Sequence, residues 1–338
     1  MKTNLKQFAQ SLGLSPTTVS RALAGYSDVS EATRSRVVAA ARSAGYEPDP
    51  AARRLATGRA RAVGMIVPFG ADRLGNPRFV DVVGGLANSL AEQDLDLMIL
   101  AARSGAELDT YRRHVAGRSV DALIVADTLI DDPRIAFLQK AKFPFVAYGR
   151  THSNAPYAWF DFDNEAGARM AVRRLVELGH RHIALIHGPR SISFVTQRRE
   201  GFIAAMSEAK LRVDPALMVE TTLDRDAGRE AMATLLKRRR RPTAVVVDNN
   251  LAGVGAIRAL VDAGLRPGPD LSLIVYGVIP TDILLTHRIT VIAHPTGEAT
   301  GQMIARLVAG AIEGQPGESL QQLEQPVLEQ GDTDAPPP

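Results

Sequence analysis

Ser15-Pro16-Thr17-Thr18-Val19-Ser20-Arg21-Ala22-Leu23 is the stretch whose reading decides the fold of this chain. Ser15 is placed to cap a helix N-terminus. Pro16 suits the first helical position, where the N–H it lacks would have no partner anyway. Small hydroxyls and an arginine follow on the same short helix. An apolar segment, Leu5 to Leu12, precedes it as another helix, and Gly13 sits in the turn between them. Two short helices joined by a glycine-containing turn match a helix-turn-helix, whose second helix enters a DNA major groove. A third helix is predicted from about Ser30 to Ser43, with Ser30 as N-cap, Thr33 in the first turn and Gly45 as the stop. Leu12, Val19, Leu23, Val37, Val38 and Ala41 are the candidate core of this 1–46 headpiece.

Charge separates the headpiece from the rest. Residues 1–61 hold ten Lys/Arg against four Asp/Glu, a net +6. The other residues hold 30 against 33, a net −3, within a chain of net +3. A basic head on a mildly acidic body points to a polyanion partner for the head. The chain has no cysteine, which removes disulfides and thiolate metal sites and fits a reducing, cytoplasmic setting. No apolar run follows Met1-Lys2-Thr3-Asn4, so no signal peptide is expected, and no window is long enough to span a membrane.

Residues 47–61 form a joint. Two prolines interrupt the chain, Asp49 and Pro50 open a helix of about two turns, and Gly58 ends it. A helix that short is unstable alone in water. It is either a segment that folds against a partner or a plain linker. From Ala62 the pattern alternates. Val63–Pro68, Leu95–Leu100, Ala122–Ala126, Phe145–Tyr148, His182–His187, Ala244–Val247 and Leu271–Tyr276 are apolar strands, with helical stretches between most of them. Nearly continuous apolar strands alternating with helices predict parallel, doubly wound sheets, here in two lobes. The expected core covers 62–330: one lobe of about 62–160 plus 290–320, the other of about 161–289 plus 321–330. The polar, proline-rich 331–338 is expected to be disordered. The fold class is thus an all-α helix-turn-helix headpiece followed by a two-lobed α/β core.

Several blocks resemble the lac-repressor/gal-repressor family of bacterial transcription regulators. They include Leu14-Ser15-Pro16-Thr17-Thr18-Val19-Ser20-Arg21, Ala51-Ala52-Arg53-Arg54-Leu55-Ala56-Thr57-Gly58, Asn76-Pro77-Arg78-Phe79, Asp163-Asn164-Glu165-Ala166-Gly167 and Leu178-Gly179-His180-Arg181-His182. They lie in family order and spacing over nearly the whole chain. The resemblance implies a DNA-binding headpiece, a hinge helix and a periplasmic-binding-protein-like core whose chain crosses between lobes about three times. It also implies a homodimer on a near-palindromic operator, a small effector in the cleft, and no membrane partner. The wording around Tyr148-Gly149-Arg150 and Trp159-Phe160-Asp161 is most like members controlling oligosaccharide or α-glycoside uptake.

The resemblance also assigns residues. Pro16, Thr17 and Arg21 sit where side chains reach base edges. Arg21 suits bidentate binding of a guanine, worth about 1–3 kcal/mol of discrimination. Thr18, Ser20, Ser30, Thr33 and Tyr46 fall where the family contacts phosphates, which sets register without reading bases. Ser15 and Ser30 are equally helix caps. Arg53 lies on the hinge beside Leu55. Leu55 corresponds to a minor-groove wedge, or alternatively packs between paired hinge helices. Phe69 follows the first core strand at its carboxyl end, where open α/β sheets bind ligands. Arg150, Ser193, Phe194, Gln197, Arg198, Asn249 and His294 fall on or near effector positions. An interlobe salt bridge is the alternative for Arg198, and a loop role for His294. Two common acidic positions are Gly149 and Gly277 here, so a cleft poor in carboxylates is expected, with an effector that differs from the usual hexose, is larger, or is anionic. Lys237-Arg238-Arg239-Arg240-Arg241 reads as a solvated helix end.

No nucleophile–base pair, metal cluster or phosphate loop stands out, and Gly253-Val254-Gly255 is too short for one. No enzyme activity, cofactor or metal is therefore expected. The function expected is a repressor of carbohydrate genes released by a sugar-type effector. The alternatives are a regulator needing a non-sugar corepressor, or a sugar-binding protein without DNA activity.

Overall fold

A computed structural model describes residues 4–46, 58–68, 76–103, 105–279 and 288–338. The chain divides into two compact units, residues 1–62 with 114–121, and residues 63–113 with 122–338.

The first unit carries α1 (Leu5–Ser11), α2 (Pro16–Leu23) and α3 (Glu31–Ala44). Each start is capped by a side chain. Asn4 and Gln7 form a reciprocal capping box, Ser15 Oγ accepts from Thr18 N–H at 3.0 Å, and Ser30 Oγ accepts from Thr33 N–H at 3.3 Å. Such caps are each worth about 1 kcal/mol. Gly45 closes α3 with φ of 58°. The core is Phe8, Ala9, Val19, Ala22, Val29, Val37, Ala41 and Tyr46, with Leu12 and Leu23 at its margin. Val38, expected inside, stays partly exposed.

The second unit holds two lobes, each built on a six-stranded sheet. Its strands are β1 (Ala62–Pro68), β2 (Asp96–Ala102), β3 (Ala122–Ala126), β4 (Phe145–Tyr148), β5 (Trp159–Phe162), β6 (Ile183–His187), β7 (Met218–Glu220), β8 (Ala244–Val247), β9 (Ser272–Tyr276), β10 (Thr290–Ala293), β11 (Gln321–Glu324) and β12 (Val327–Glu329). The N-lobe order is β11-β5-β4-β3-β1-β2 and the C-lobe order is β12-β10-β9-β8-β6-β7. Pairing is parallel in the C-lobe except for β10 with β12. On β8, Ala244 and Val246 enter one apolar cluster while Val245 and Val247 enter another on the opposite face. A strand buried on both faces reads as continuous hydrophobicity, which is why these central strands stand out in sequence.

The helices of the second unit are α4 (Pro77–Ala91), α5 (Glu107–Ala116), α6 (Pro133–Ala141), α7 (Asn164–Glu177), α8 (Ser193–Glu208), α9 (Arg225–Leu236), α10 (Asn250–Asp262) and α11 (Gly297–Ile312). In the N-lobe α4 packs on α11 nearly backbone to backbone: a Cβ on Gly301 would fall 2.2 Å from the Leu86 nitrogen. In the C-lobe α7 packs on α8 and α9 on α10.

Three expectations are corrected. Thr290–Ala293 belongs to the C-lobe, because its apolar residues pair with β9 in the buried sheet centre. Gln321–Glu324 belongs to the N-lobe, as an edge strand on β5, and the first crossing follows Phe162 rather than residue 160. The chain therefore changes lobe after β5, after β10 and between β11 and β12. The third correction is the tail, which is ordered against the C-lobe. Thr333, fully buried, donates to Leu273 O at 2.8 Å and accepts from Thr290 N–H at 2.9 Å. Asp334 pairs with Arg174 at 2.6 Å, and Ala335 O accepts from Ser272 Oγ at 2.8 Å. The polar residues that suggest disorder are the ones that satisfy buried groups of β9 and β10.

Candidate functional site

On the headpiece, α2 buries Val19 and Ala22 and turns Pro16, Thr17 and Arg21 outward, with Ser20 half-exposed between them. The helical period puts these outward residues on one face. Arg21 lies over the Tyr26 ring and pairs with Asp28 at 2.8 Å, both groups about half exposed. An exposed pair of this kind is worth about 0–1 kcal/mol, so it holds the guanidinium only weakly. The hydroxyls of Ser15 and Thr18 share a hydrogen bond at 2.8 Å, and those of Ser30 and Thr33 share one at 2.9 Å. These four are cap pairs at the starts of α2 and α3. The Tyr46 ring is buried and stacks on Phe8 at 4.3 Å. Arg53, Leu55 and Phe69 lie outside the described residues.

Between the lobes lies a cavity of about 200 Å³, at the carboxyl ends of strands from both sheets. Open α/β sheets bind ligands at this position because the loops there converge from both sides of the sheet. From the N-lobe come Met65, Asn76, Arg78, Asp127, Tyr148 and Asp161; from the C-lobe come Asn164, Phe194, Arg198, Asp248, Asn249 and Tyr276, with His294 just after β10.

Arg198 organises the C-lobe wall. Its guanidinium lies 4.5 Å from the Phe194 ring centroid and 3.9 Å from that of Tyr276. Its Nε donates to Asn164 Oδ1 at 2.9 Å, and Nη1 donates to the Asp248 carbonyl. Burial lowers its pKa, opposed by Tyr276 and Asp248. Asn164 in turn donates to Asp161 Oδ1 at 3.2 Å and to Gln197 Oε1 at 3.0 Å. Gln197 thus supports the wall. Arg150 is committed to Asp161 Oδ2 at 2.8 Å and lies over Trp159. Burial raises the Asp161 pKa and Arg150 opposes the shift. Ser193 is buried at the start of α8, and its N–H donates to Thr128 O across the lobes at 2.8 Å. Asn249 caps α10, its Oδ1 accepting from Leu251 and Ala252 N–H. Neither Arg150, Ser193 nor Gln197 lines the cavity; Phe194, Arg198, Asn249 and His294 do.

Several polar atoms on residues of this wall have no hydrogen-bond partner in the protein: Arg78 Nη2, Asp248 Oδ1 and both His294 nitrogens. A buried polar atom left unpaired costs about 1–3 kcal/mol, a cost that a new polar partner would relieve. His294 packs its edge on Phe162 at 4.0 Å, and burial holds its pKa well below the usual histidine value. Asp248 is pushed up to about 6 by burial, opposed by Arg198 and by a hydrogen bond from Gly188 N–H.

The expected lack of carboxylates is overturned. Asp127, Asp161 and Asp248 line the cavity from other positions. Gly149 and Gly277 have φ of 117° and 83°, a region strained for a residue with Cβ, and a Cβ at 149 would fall 2.4 Å from Thr128 Oγ1. An acid at 149 would clash with Thr128, whereas at 277 a Cβ has room and only the backbone angle opposes it. Asp127 and Asp248 each directly follow a strand, which is the signal in sequence that points to them, whereas Asp161 lies within β5.

Residues 4–49 match the family model described as bacterial regulatory proteins, lacI family. Residues 60–322 match periplasmic binding proteins and sugar binding domain of LacI family. The chain belongs to the lacI family. It is an HTH-type transcriptional regulator with a headpiece for DNA and a periplasmic-binding-protein-like core. It is 41% identical over 331 residues to the HTH-type transcriptional regulator RafR of Escherichia coli, covering 98% of each chain. It is 39% identical over 317 residues to AglR of Rhizobium meliloti (strain 1021), covering 92% of this chain and 88% of the relative. In structure it is similar to a transcriptional regulator CelR–cellobiose complex, with a TM-score of 0.74, 28% identity, and coverage of 98% and 99%. Among the described residues no helix is long and apolar enough to cross a membrane, and no group of His, Asp and Glu is set to hold a metal.

Proposed function

We propose that this lacI-family chain is a repressor that binds a near-palindromic operator as a homodimer and is released by a neutral sugar. The unpaired polar atoms on residues that line the interlobe cavity carry this reading. Aromatic rings at Phe194, Tyr276 and Phe162 supply apolar faces for a sugar ring, and the amides and charged groups between them meet its hydroxyls. Sign matters too. With Arg150 bound to Asp161, the acids Asp127, Asp161 and Asp248 are balanced by Arg78, Arg150 and Arg198. The wall carries no surplus charge to hold a sugar phosphate, which fits an uncharged ligand. The similarity to a regulator solved with cellobiose supports the same class.

DNA is read by Thr17 and Arg21, with Pro16 contributing shape, and Ser20 meets a phosphate. Residues 47–61, including Arg53 and Leu55, act as the hinge, with Leu55 as the minor-groove wedge. Val80 on α4 and Met98 on β2 are exposed and give the N-lobe apolar contacts for a twin. The protein regulates without a catalytic step of its own.

The test begins with operator selection from a random duplex pool. A near-palindromic sequence is expected to emerge. Its affinity should fall steeply with salt, by about a thousandfold between 50 and 200 mM if six phosphates are neutralised. Adding a neutral sugar should then release it. Tighter operator binding on adding a small molecule would make the protein a corepressor-dependent regulator instead. Failure to enrich any palindrome, with or without sugars, overturns the reading.

A further inference from the structure

We infer that Asp248 is the carboxylate that selects the effector, its unpaired Oδ1 accepting one particular hydroxyl of the neutral sugar. This rests on the sugar reading above.

Every other polar atom of Asp248 for which a partner is seen has a protein partner. Its N–H donates to Ile186 O at 3.0 Å, its carbonyl accepts from Arg198, and Oδ2 accepts from Gly188 N–H at 3.2 Å. Oδ1 has none, on a residue only 1% exposed that lines the cavity. Asp161, also buried there, differs: Oδ2 holds Arg150, while Oδ1 accepts from Phe162 N–H and from Asn164. Its oxygens are already occupied. An acceptor with no competing donor, held rigidly by two backbone hydrogen bonds, discriminates strongly against a ligand that lacks the matching O–H. A cationic ligand group fits less well, because the Arg198 guanidinium already lies against the same residue. Among the described residues, the titratable groups facing Asp248 are Arg198 from α8 and, beside it, the neutral Tyr276 phenol from β9. Neither provides a donor to Oδ1.

The experiment is a cycle of hydroxyl deletion against side-chain change, read by calorimetry on the full chain. Glucose, galactose, cellobiose, maltose, melibiose and raffinose are titrated first. The tightest binder and its monodeoxy analogues are then measured against wild type and Asp248→Asn. Asparagine preserves shape and can still accept from Gly188 N–H, but it places an NH2 where the acceptor was. One deoxy analogue should bind wild type tenfold or more weakly, and the same deletion should cost Asp248→Asn threefold or less. The parent sugar itself should bind the variant at least tenfold more weakly. If the variant does not fold, wild type alone decides. The deoxyfluoro analogue at that position accepts but does not donate, so it should lose as much affinity as the deoxy one. Retained affinity for the fluoro sugar, or an additive cycle, overturns the role of Asp248 while leaving the sugar reading intact. Binding of none of these sugars, with no release of operator, overturns both.

Discussion

Arg198 shows at a single position why residue type matters more than charge. Its flat guanidinium is flanked by the rings of Phe194 and Tyr276 and reaches both Asn164 and the Asp248 carbonyl. Lysine keeps the charge but cannot stack as a plane or reach two acceptors in fixed directions. Arg198→Lys should therefore weaken sugar binding at least tenfold by calorimetry; an unchanged affinity would remove Arg198 from the site. His294 makes a separate prediction. Burial lowers its folded pKa well below its unfolded value, so the unfolded chain takes up the proton first. Stability from this group is fully present above about pH 6.5 and is lost as pH falls below it, by up to about 1.4 kcal/mol per pH unit. His180 and His187 are shifted in the same direction, and the raised Asp248 opposes them. A difference between variants isolates one group. His294→Phe keeps the ring contact with Phe162 and removes the titration, so its stability in urea should fall less than that of wild type between pH 7 and 5. Parallel slopes would refute the assignment. At this scale sequence was a mixed guide. The pattern around Ser15 and Ser30 marks both caps, whereas nothing local reveals that Phe8 stacks on the Tyr46 ring.

Secondary elements divide by how many faces they bury. Central strands such as β3 and β8 are buried on both faces and announce themselves as apolar runs. β11 is an edge strand, Gln321-Gln322-Leu323-Glu324, with no such run. Its place beside β5 is set by pairing rather than by local pattern. The tail is the extreme case. Its Thr333, Asp334 and Ala335 answer polar groups of the buried Thr290 and Ser272 and the half-buried Arg174, and the Ala335 carbonyl lies 2.8 Å from His180 Nε2. Removing 333–338 strips partners from several buried groups at about 1–3 kcal/mol each. The truncated chain should lose several kcal/mol in urea, with the loss centred on β9 and β10 in hydrogen exchange. A truncation that melts like wild type would mean the tail is dispensable.

Across the second unit, polar links between the lobes among the described residues include Asn250 Nδ2 to Asn76 Oδ1 at 3.2 Å, Asn164 Nδ2 to Asp161 Oδ1 at 3.2 Å, Ser193 N–H to Thr128 O at 2.8 Å, and Ile130 N–H to Ser191 O at 3.1 Å. A ligand touching both walls shifts the balance between two lobe spacings by its difference in affinity for them. A sugar at a hundred times its Kd should stabilise the native chain by about 2.7 kcal/mol and raise Tm by several degrees. Asn250→Ala should leave the fold intact but change the sugar concentration needed for operator release; an unchanged dose curve would exclude this link from the coupling.

What sequence determined by itself is local and periodic. The capped helices of the headpiece, the basic charge of residues 1–61, the buried parallel strands and the membership of the family all follow from neighbours along the chain. Tertiary structure alone decided which lobe receives β10 and β11, that the tail is part of the C-lobe, and which acid enters the cleft. Those outcomes depend on partners a hundred residues or more away in several cases. Gly149 and Gly277 read as lost carboxylates until their backbone angles are known, and Asp248 reads as one more charged residue until its second oxygen is found buried without a donor.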